Sequence, residues 1–204
     1  MRFLVPVGGV AENIYGVITA PNHKGTPAGI VAGLPWAADV GCLEGPAYVK
    51  RINWQALIPW LKTMEPYRAN CLFIAGGDIV ADAAATLEAY EEVTRYFGHW
   101  PAAYVVQNGA ESLPIPDDCS AVFIGGDTEY KESMAAVSVI KRAQQMGKHI
   151  HIGRVNWGRR YQLFNVLKGS EHFTCDGTRT RYDGVEKTLK AWRGLEAQPP
   201  LLTI

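Results

Sequence analysis

Five places along the chain set an acidic or amide side chain next to glycine, or one residue from it, after an apolar run. They are Trp36-Ala37-Ala38-Asp39-Val40-Gly41, Ile74-Ala75-Gly76-Gly77-Asp78, Val105-Val106-Gln107-Asn108-Gly109, Phe123-Ile124-Gly125-Gly126-Asp127 and Thr174-Cys175-Asp176-Gly177-Thr178. A carboxylate in such a place can serve as general acid, base or nucleophile. An amide and backbone N–H groups can read the donors and acceptors on the edge of a purine-like base. Asp beside Gly is also an ordinary turn signal, so any one of these places taken alone is more simply a turn.

The elements that must position these residues are strands followed by helices. Cys71-Leu72-Phe73-Ile74-Ala75, Ala103-Tyr104-Val105-Val106, Ala121-Val122-Phe123-Ile124 and His149-Ile150-His151-Ile152 are continuous apolar runs of strand length, suited to a sheet covered on both faces. Between them run helical spacings, Leu87, Tyr90, Thr94 and Phe97 in 82–97 and Met134, Val137, Ile140 and Ala143 in 131–146, with further helices expected over 54–64 and 157–168. Asp82 reads as the N-cap of the helix that begins at Ala83. Such βα alternation implies a parallel sheet, either open and doubly wound or closed into a barrel. No GxGxxG or GxxxxGK[ST] loop is present. The expectation is an α/β fold, a compact (β/α)8 TIM-type barrel or an incomplete one, forming a single domain over 1–204. In a barrel the five polar places would gather at the C-terminal ends of the strands, where barrel chemistry sits.

Composition adds limits. With 20 Lys+Arg against 20 Asp+Glu the chain is formally neutral, so nothing global demands a polyanionic partner. Locally, nine basic residues between Lys141 and Arg181 stand against Glu171 and Asp176 alone, a run that is either a solvated face or a phosphate-binding one. Pro6, Gly8 and Gly9 interrupt the first apolar residues, which resembles neither a signal peptide nor a membrane span. A cytoplasmic protein is expected, in the host cytoplasm if the chain is phage-encoded. Cys42, Cys71, Cys119 and Cys175 lack metal-ligand spacing and are expected as reduced thiols, with no metal and no cofactor.

Taken in order, the segments WAADVGCL, GGDIVADAAATLEAY, VVQNG, FIGGDTEYK, GKHIHIGRVN and DGT resemble the motifs of the queuine-type guanine transglycosylase superfamily. The resemblance is closest to the short DNA-deazaguanine transglycosylases of phages and bacteria (DpdA-like), and it runs from Trp36 to Thr178. It implies a (β/α) barrel that cuts the glycosidic bond of a guanine nucleotide and attaches a 7-deazaguanine base, such as preQ0, in its place. By the same resemblance Asp176 is the nucleophile that holds the sugar covalently and Asp39 the general acid/base. Cleaving C1′–N9 builds positive charge on the sugar and negative charge on the base, so two differently tuned acids suffice. Asp78 would accept from guanine N1–H and the exocyclic amine, while Gln107 and the N–H groups around Gly125 and Gly126 would face O6.

A base in a duplex must be flipped out to reach such a pocket, with flanking phosphates held by cations. Arg154, Arg159 and Arg160 are the first candidates and Lys131 the next, with Trp157 and Trp36 as aromatics able to stack on bases or to fill the core. His151, between Ile150 and Ile152, reads as a hydrogen-bonded interior histidine. The chain departs from the family pattern where Val40 and Leu43 follow Asp39, where Ile152 stands for a base-stacking Met, and where Gly77-Asp78 stands for Pro-Asp. The zinc site of the tRNA-acting members is absent, which makes DNA the expected partner and tRNA a poorer one. Neutrality implies modest affinity for nucleic acid, or help from a partner protein or a second copy of the chain. Three other readings remain at this point: an N-glycosidase that passes the sugar to water, a non-catalytic nucleic-acid-binding module on the same fold, and a purely structural subunit of a larger modification complex.

Overall fold

The computed structural model of the chain describes residues 2–6, 14–21, 23–41, 54–155 and 172–197. Eight strands run in the order β1 (Arg2–Pro6), β2 (Gly16–Thr19), β3 (Trp36–Asp39), β4 (Cys71–Ala75), β5 (Ala102–Val106), β6 (Ala121–Ile124), β7 (His149–Ile152) and β8 (Phe173–Cys175). Each pairs in parallel with the next, and β1 pairs with β8 through Arg2↔Thr174 and Phe3↔Cys175, so the barrel is closed. The described helices are α1 (Ala28–Val31), α2 (Trp54–Met64), α3 (Ala83–Phe97), α4 (Thr128–Lys131), α5 (Met134–Gln145), α6 (Arg179–Asp183) and α7 (Val185–Glu196). The architecture is TIM-barrel-like: a closed parallel sheet wrapped by helices.

The strands divide their side chains by parity. Leu4, Ile18, Ala37, Phe73, Ala75, Ala103, Val105, Ala121 and Phe123 fill the barrel interior. The alternate residues, among them Val5, Val17, Trp36, Ile74, Tyr104, Val122, Ile124, Ile150 and Ile152, pack outward under the helices. Parity therefore decides two positions. Trp36 is fully buried in the outer layer, its indole N–H donating to Tyr67 O at 2.9 Å and its ring edge-on to Trp60 and Trp100, so it stacks on no base. Ile152 is likewise buried beneath the helices and is no face of a base sandwich.

Local signals set the helix ends. Asp82 caps α3, accepting from Ala85 N at 3.0 Å, worth about 1 kcal/mol for such a cap. The buried stripe of α3 is Ala83, Thr86, Tyr90, Val93 and Phe97, turned slightly from the expected one because Ala83 starts on the core. The helix expected over 131–146 is α5 and starts three residues later: the separate turn α4 ends at Lys131, and Ser133 caps α5 by accepting from Ala136 N at 3.3 Å. That cap leaves Met134 outside, 61% exposed, while Val137, Ile140 and Ala143 are buried. The helix expected over 157–168 lies outside the described residues. Cys71, Cys119 and Cys175 are free thiols.

Candidate active site

The interior parity carries on past the strand ends. Ala37 faces inward and so does Asp39; Val105 leads to Gln107, Phe123 to Gly125, and Thr174 to Asp176. At β4 the chain turns instead at Gly77, whose φ of 80° is a left-handed conformation that glycine adopts without strain. A Cβ there would also stand 2.5 Å from Val93 Cγ2. Asp39, Asp78, Gln107, Gly125, Gly126, Gly153 and Asp176 consequently line one cavity of about 260 Å³ at the C-terminal mouth of the barrel, with Val105 and Phe123 as its apolar walls.

Asp176 follows β8 and keeps the sheet ladder going, its N–H donating to Ile152 O at 3.2 Å and its carbonyl accepting from Val155 N at 2.7 Å. Its Oδ1 accepts from Arg154 N at 2.6 Å and faces His151 Nε2 at 3.5 Å. Arg154 reaches that position with a φ of 58°, a left-handed backbone that costs a non-glycine residue about 1 kcal/mol or more. Gly153 is required beside it, because a Cβ would lie 2.6 Å from the Phe123 ring. Burial works to raise the Asp176 carboxyl, but the His151 contact, the Arg154 N–H and the charge of Lys131 outweigh it and hold the group below the ordinary carboxylate range.

Asp39 has the opposite setting. Its Oδ1 accepts from Gly41 N at 2.9 Å. Burial raises this carboxyl above the ordinary range; the Gly41 N–H opposes the rise and the negative charge of Asp176 adds to it. Asp78 is nearly inaccessible to solvent, and burial with the charge of Asp39 pushes its pKa up to about 6. Its Oδ2 accepts from Gln107 Nε2 at 2.9 Å, and Gln107 Oε1 accepts from Ala81 N at 3.1 Å. The amide is thereby oriented with its NH2 toward the cavity and Asp78.

The two glycines after β6 differ in what they offer. Gly125 N donates to Val106 O at 2.9 Å, so its N–H belongs to the barrel ladder and does not read a base, contrary to the expectation from sequence. Its contribution is space: a Cβ would stand 2.8 Å from Val106 O and 2.9 Å from Gln107 Nε2. Gly126, at a φ of 79°, is left as the N–H of the pair for a ligand. Asp127 is structural. It caps α4 by accepting from Tyr130 N at 2.8 Å and is clamped by Asn108, which donates to Oδ2 at 2.8 Å and accepts from Asp127 N at 3.1 Å.

Of the expected phosphate contacts, Arg154 stands exposed at the cavity mouth. Lys131 does not: it is only 5% exposed and lines the cavity wall, because α4 is a single turn that points its last residue inward. Arg159, Arg160, Trp157 and Leu43 lie outside the described residues. Phe123, Val105 and Gly153 are among the cavity residues that sequence reasoning missed, and the alternation in Ala121-Val122-Phe123-Ile124, read together with Gly125, was the signal that could have found Phe123. Among the described residues no group of three or more His, Cys, Asp or Glu side chains is disposed to hold a metal ion, and no helix is long and apolar enough to cross a membrane. Comparison with protein-family models and with curated proteins finds no match to this chain.

Proposed function

We propose that the cavity is the active site of a pentosyltransferase that exchanges guanine in DNA for a 7-deazaguanine base. What carries this reading is the opposed tuning of Asp39 and Asp176 at one cavity: one carboxyl raised toward the protonated form, the other held ionised. A barrel with such a cavity at its strand ends is compatible with an enzyme active site. The ordered motifs described above supply the reaction class, and the cavity volume of about 260 Å³, at or below the usual ~300–1,000 Å³ of ligand pockets, suits one base.

In this mechanism Oδ1 of Asp176 is held by Arg154 N and His151, and Oδ2 attacks C1′. The C1′–N9 bond breaks with its electron pair on the base, and Asp39 gives its proton to the departing guanine, leaving an Asp176–sugar ester and an Asp39 carboxylate. The incoming 7-deazaguanine loses its N9 proton to Asp39, and N9 attacks C1′. The ester bond breaks, which restores Asp176 as a carboxylate. Asp78 accepts from N1–H and the amine, Gln107 Nε2 and Gly126 N donate to O6, and Phe123 supplies apolar surface against the ring. Arg154 at the mouth meets a flanking phosphate.

The test is incubation of the purified protein with guanine-containing DNA and radiolabelled 7-deazaguanine base, beside Asp176→Ala. Label in the polymer with wild type and a loss of about 10³-fold or more in the variant is expected, the scale seen when a covalent nucleophile is removed. Release of guanine without incorporation would replace this reading with an N-glycosidase, and DNA binding with neither event would replace it with a binding module.

A further inference from the structure

A line of polar side chains runs down the otherwise apolar barrel interior. His149 Nε2 lies 2.8 Å from Thr174 Oγ1, the same oxygen lies 2.9 Å from His151 Nδ1, and His151 Nε2 faces Asp176 Oδ1 at 3.5 Å. The register of β7 on β8, with His151 opposite Thr174, brings the file together. Both His151 and Thr174 are fully buried, and His151 Nε2 makes no hydrogen bond: the nearest charged group is the carboxylate it faces, 3.5 Å away. Phe73 and Phe123 pack against the imidazole, their ring centroids 5.0 and 4.6 Å from its own.

We propose that His151 is the positioning residue of Asp176, and that the His149–Thr174–His151 file fixes its ring with a proton on Nε2, aimed at Asp176 Oδ1. This rests on reading Asp176 as the nucleophile. The assignment follows from counting protons along the file. If His149 donates from Nε2 to Thr174, the threonine hydroxyl donates to His151 Nδ1, and neutral His151 carries its proton on Nε2. If the threonine instead donates to His149, His151 must donate from Nδ1. A neutral ring would then turn a bare Nε2 lone pair on a buried carboxylate, so His151 is the cation and again has a proton on Nε2. The two satisfied arrangements differ by one proton: one entering at His149 Nδ1 moves a proton from His149 Nε2 to Thr174 and one from Thr174 to His151 Nδ1. The proton does not rest on His149, whose pKa burial and the neighbouring charges of His151, His172 and Arg2 push down to about 3.

Other charged groups act on the same carboxylate. Lys131 from α4 favours its ionised form by charge and Arg154 after β7 through its backbone N–H, while Asp39 from β3 shares the cavity and is itself raised by the Asp176 charge. His151 adds a directed donor from below that leaves Oδ2 for the sugar, and removing the file should therefore shift the pH at which Asp176 loses its charge.

Two measurements on the full chain decide this. In 15N-histidine-labelled protein, with His149→Gln and His151→Gln used for assignment, the His151 Nε2 resonance is expected at a protonated-nitrogen shift at neutral pH. A bare-nitrogen shift there would overturn the proposal whether or not base exchange is found. In the exchange assay, Thr174→Val is expected to move the acid limb of kcat upward by about one pH unit with little change in KM for the base, and Thr174→Ser to keep the wild-type limb. An unmoved limb in Thr174→Val would also overturn it. Absence of exchange in wild type would count against the transglycosylase reading, and the nitrogen shifts would still decide the file.

Discussion

Asp39 and Asp176 sit at matching places on opposite parts of the barrel wall, the first closing β3 and the second directly following β8, and both turn inward by strand parity. Their surroundings differ. Asp176 is met by a backbone N–H from a left-handed Arg154, by the His151 ring and by the charge of Lys131. Asp39 accepts from the Gly41 N–H of its own turn and feels the negative charge of Asp176, with the charges of His151 and Arg154 too weak to offset its burial. Burial pushes both carboxyls up, yet only one is raised. Donors, not depth, separate the lowered carboxyl from the raised one in this cavity, and most of those donors come from β7 and the turn after it.

Changing Asp39 tests the acid half of that contrast. Asp39→Asn keeps the shape and removes the transferable proton, and kcat is expected to fall by about 10²–10⁴-fold, the usual scale of general acid–base catalysis. An unchanged kcat in single-turnover exchange would remove Asp39 from the chemistry.

Asp78 extends the contrast to recognition and to stability. Asp78→Asn loses a charged acceptor for N1–H and the amine, and kcat/KM for the base is expected to drop by about 10–100-fold, as for a hydrogen bond to a charged group worth ~1.5–3 kcal/mol. Because the folded-state pKa of Asp78 is raised to about 6, the folded protein binds its proton more tightly than the unfolded chain does. The associated stability is complete below the unfolded carboxylate range and is lost as pH rises through 6, by up to about 2–3 kcal/mol. Urea unfolding at pH 4 and pH 7 should therefore show Asp78→Asn gaining on wild type at the higher pH. A constant difference between the two proteins would remove the raised pKa.

The smallest effect is expected where packing alone supports Asp176. Gly153→Ala puts a methyl group 2.6 Å from the Phe123 ring and 3.7 Å from Asp176 Oδ1, an overpacking that costs about 1–3 kcal/mol. The urea midpoint is expected to fall and kcat to drop more than KM changes. Full activity with unchanged stability would mean that Phe123 yields freely and does not brace this side of the cavity.

How much of this was legible beforehand depends on the range of the physics involved. Asp82 as a cap and the apolar runs of β4 to β7 are local, and they were readable. Closure into a barrel was expected from the resemblance and is what the structure has, but the local pattern could not show it, because Arg2 and Thr174 meet only through the whole sheet. Asp39, Asp78, Gln107 and Asp176 were singled out from residue type and from the order of motifs, and they line one cavity. The same sequence misassigned Gly125, since nothing in a Gly-Gly pair tells which N–H the neighbouring strand will take, and Lys131, since a cation one turn past a glycine loop is as easily outside as inside. For Trp36 the choice between stacking on a base and filling the core was open, and parity already present in the sequence decides it for the core. The His149–Thr174–His151 file was invisible for a different reason: its members come from two strands, and their register is a tertiary fact.

The claim that roles follow from these surroundings meets its most direct test in the covalent intermediate. Wild-type protein mixed with guanine-containing DNA in the absence of incoming base would be quenched under denaturing conditions, digested, and the nucleotide-bearing peptide sequenced by mass spectrometry. The adduct is expected on Asp176 and is expected to vanish in Asp176→Ala. An adduct on Asp39, or base exchange that proceeds in Asp176→Ala, would contradict the account.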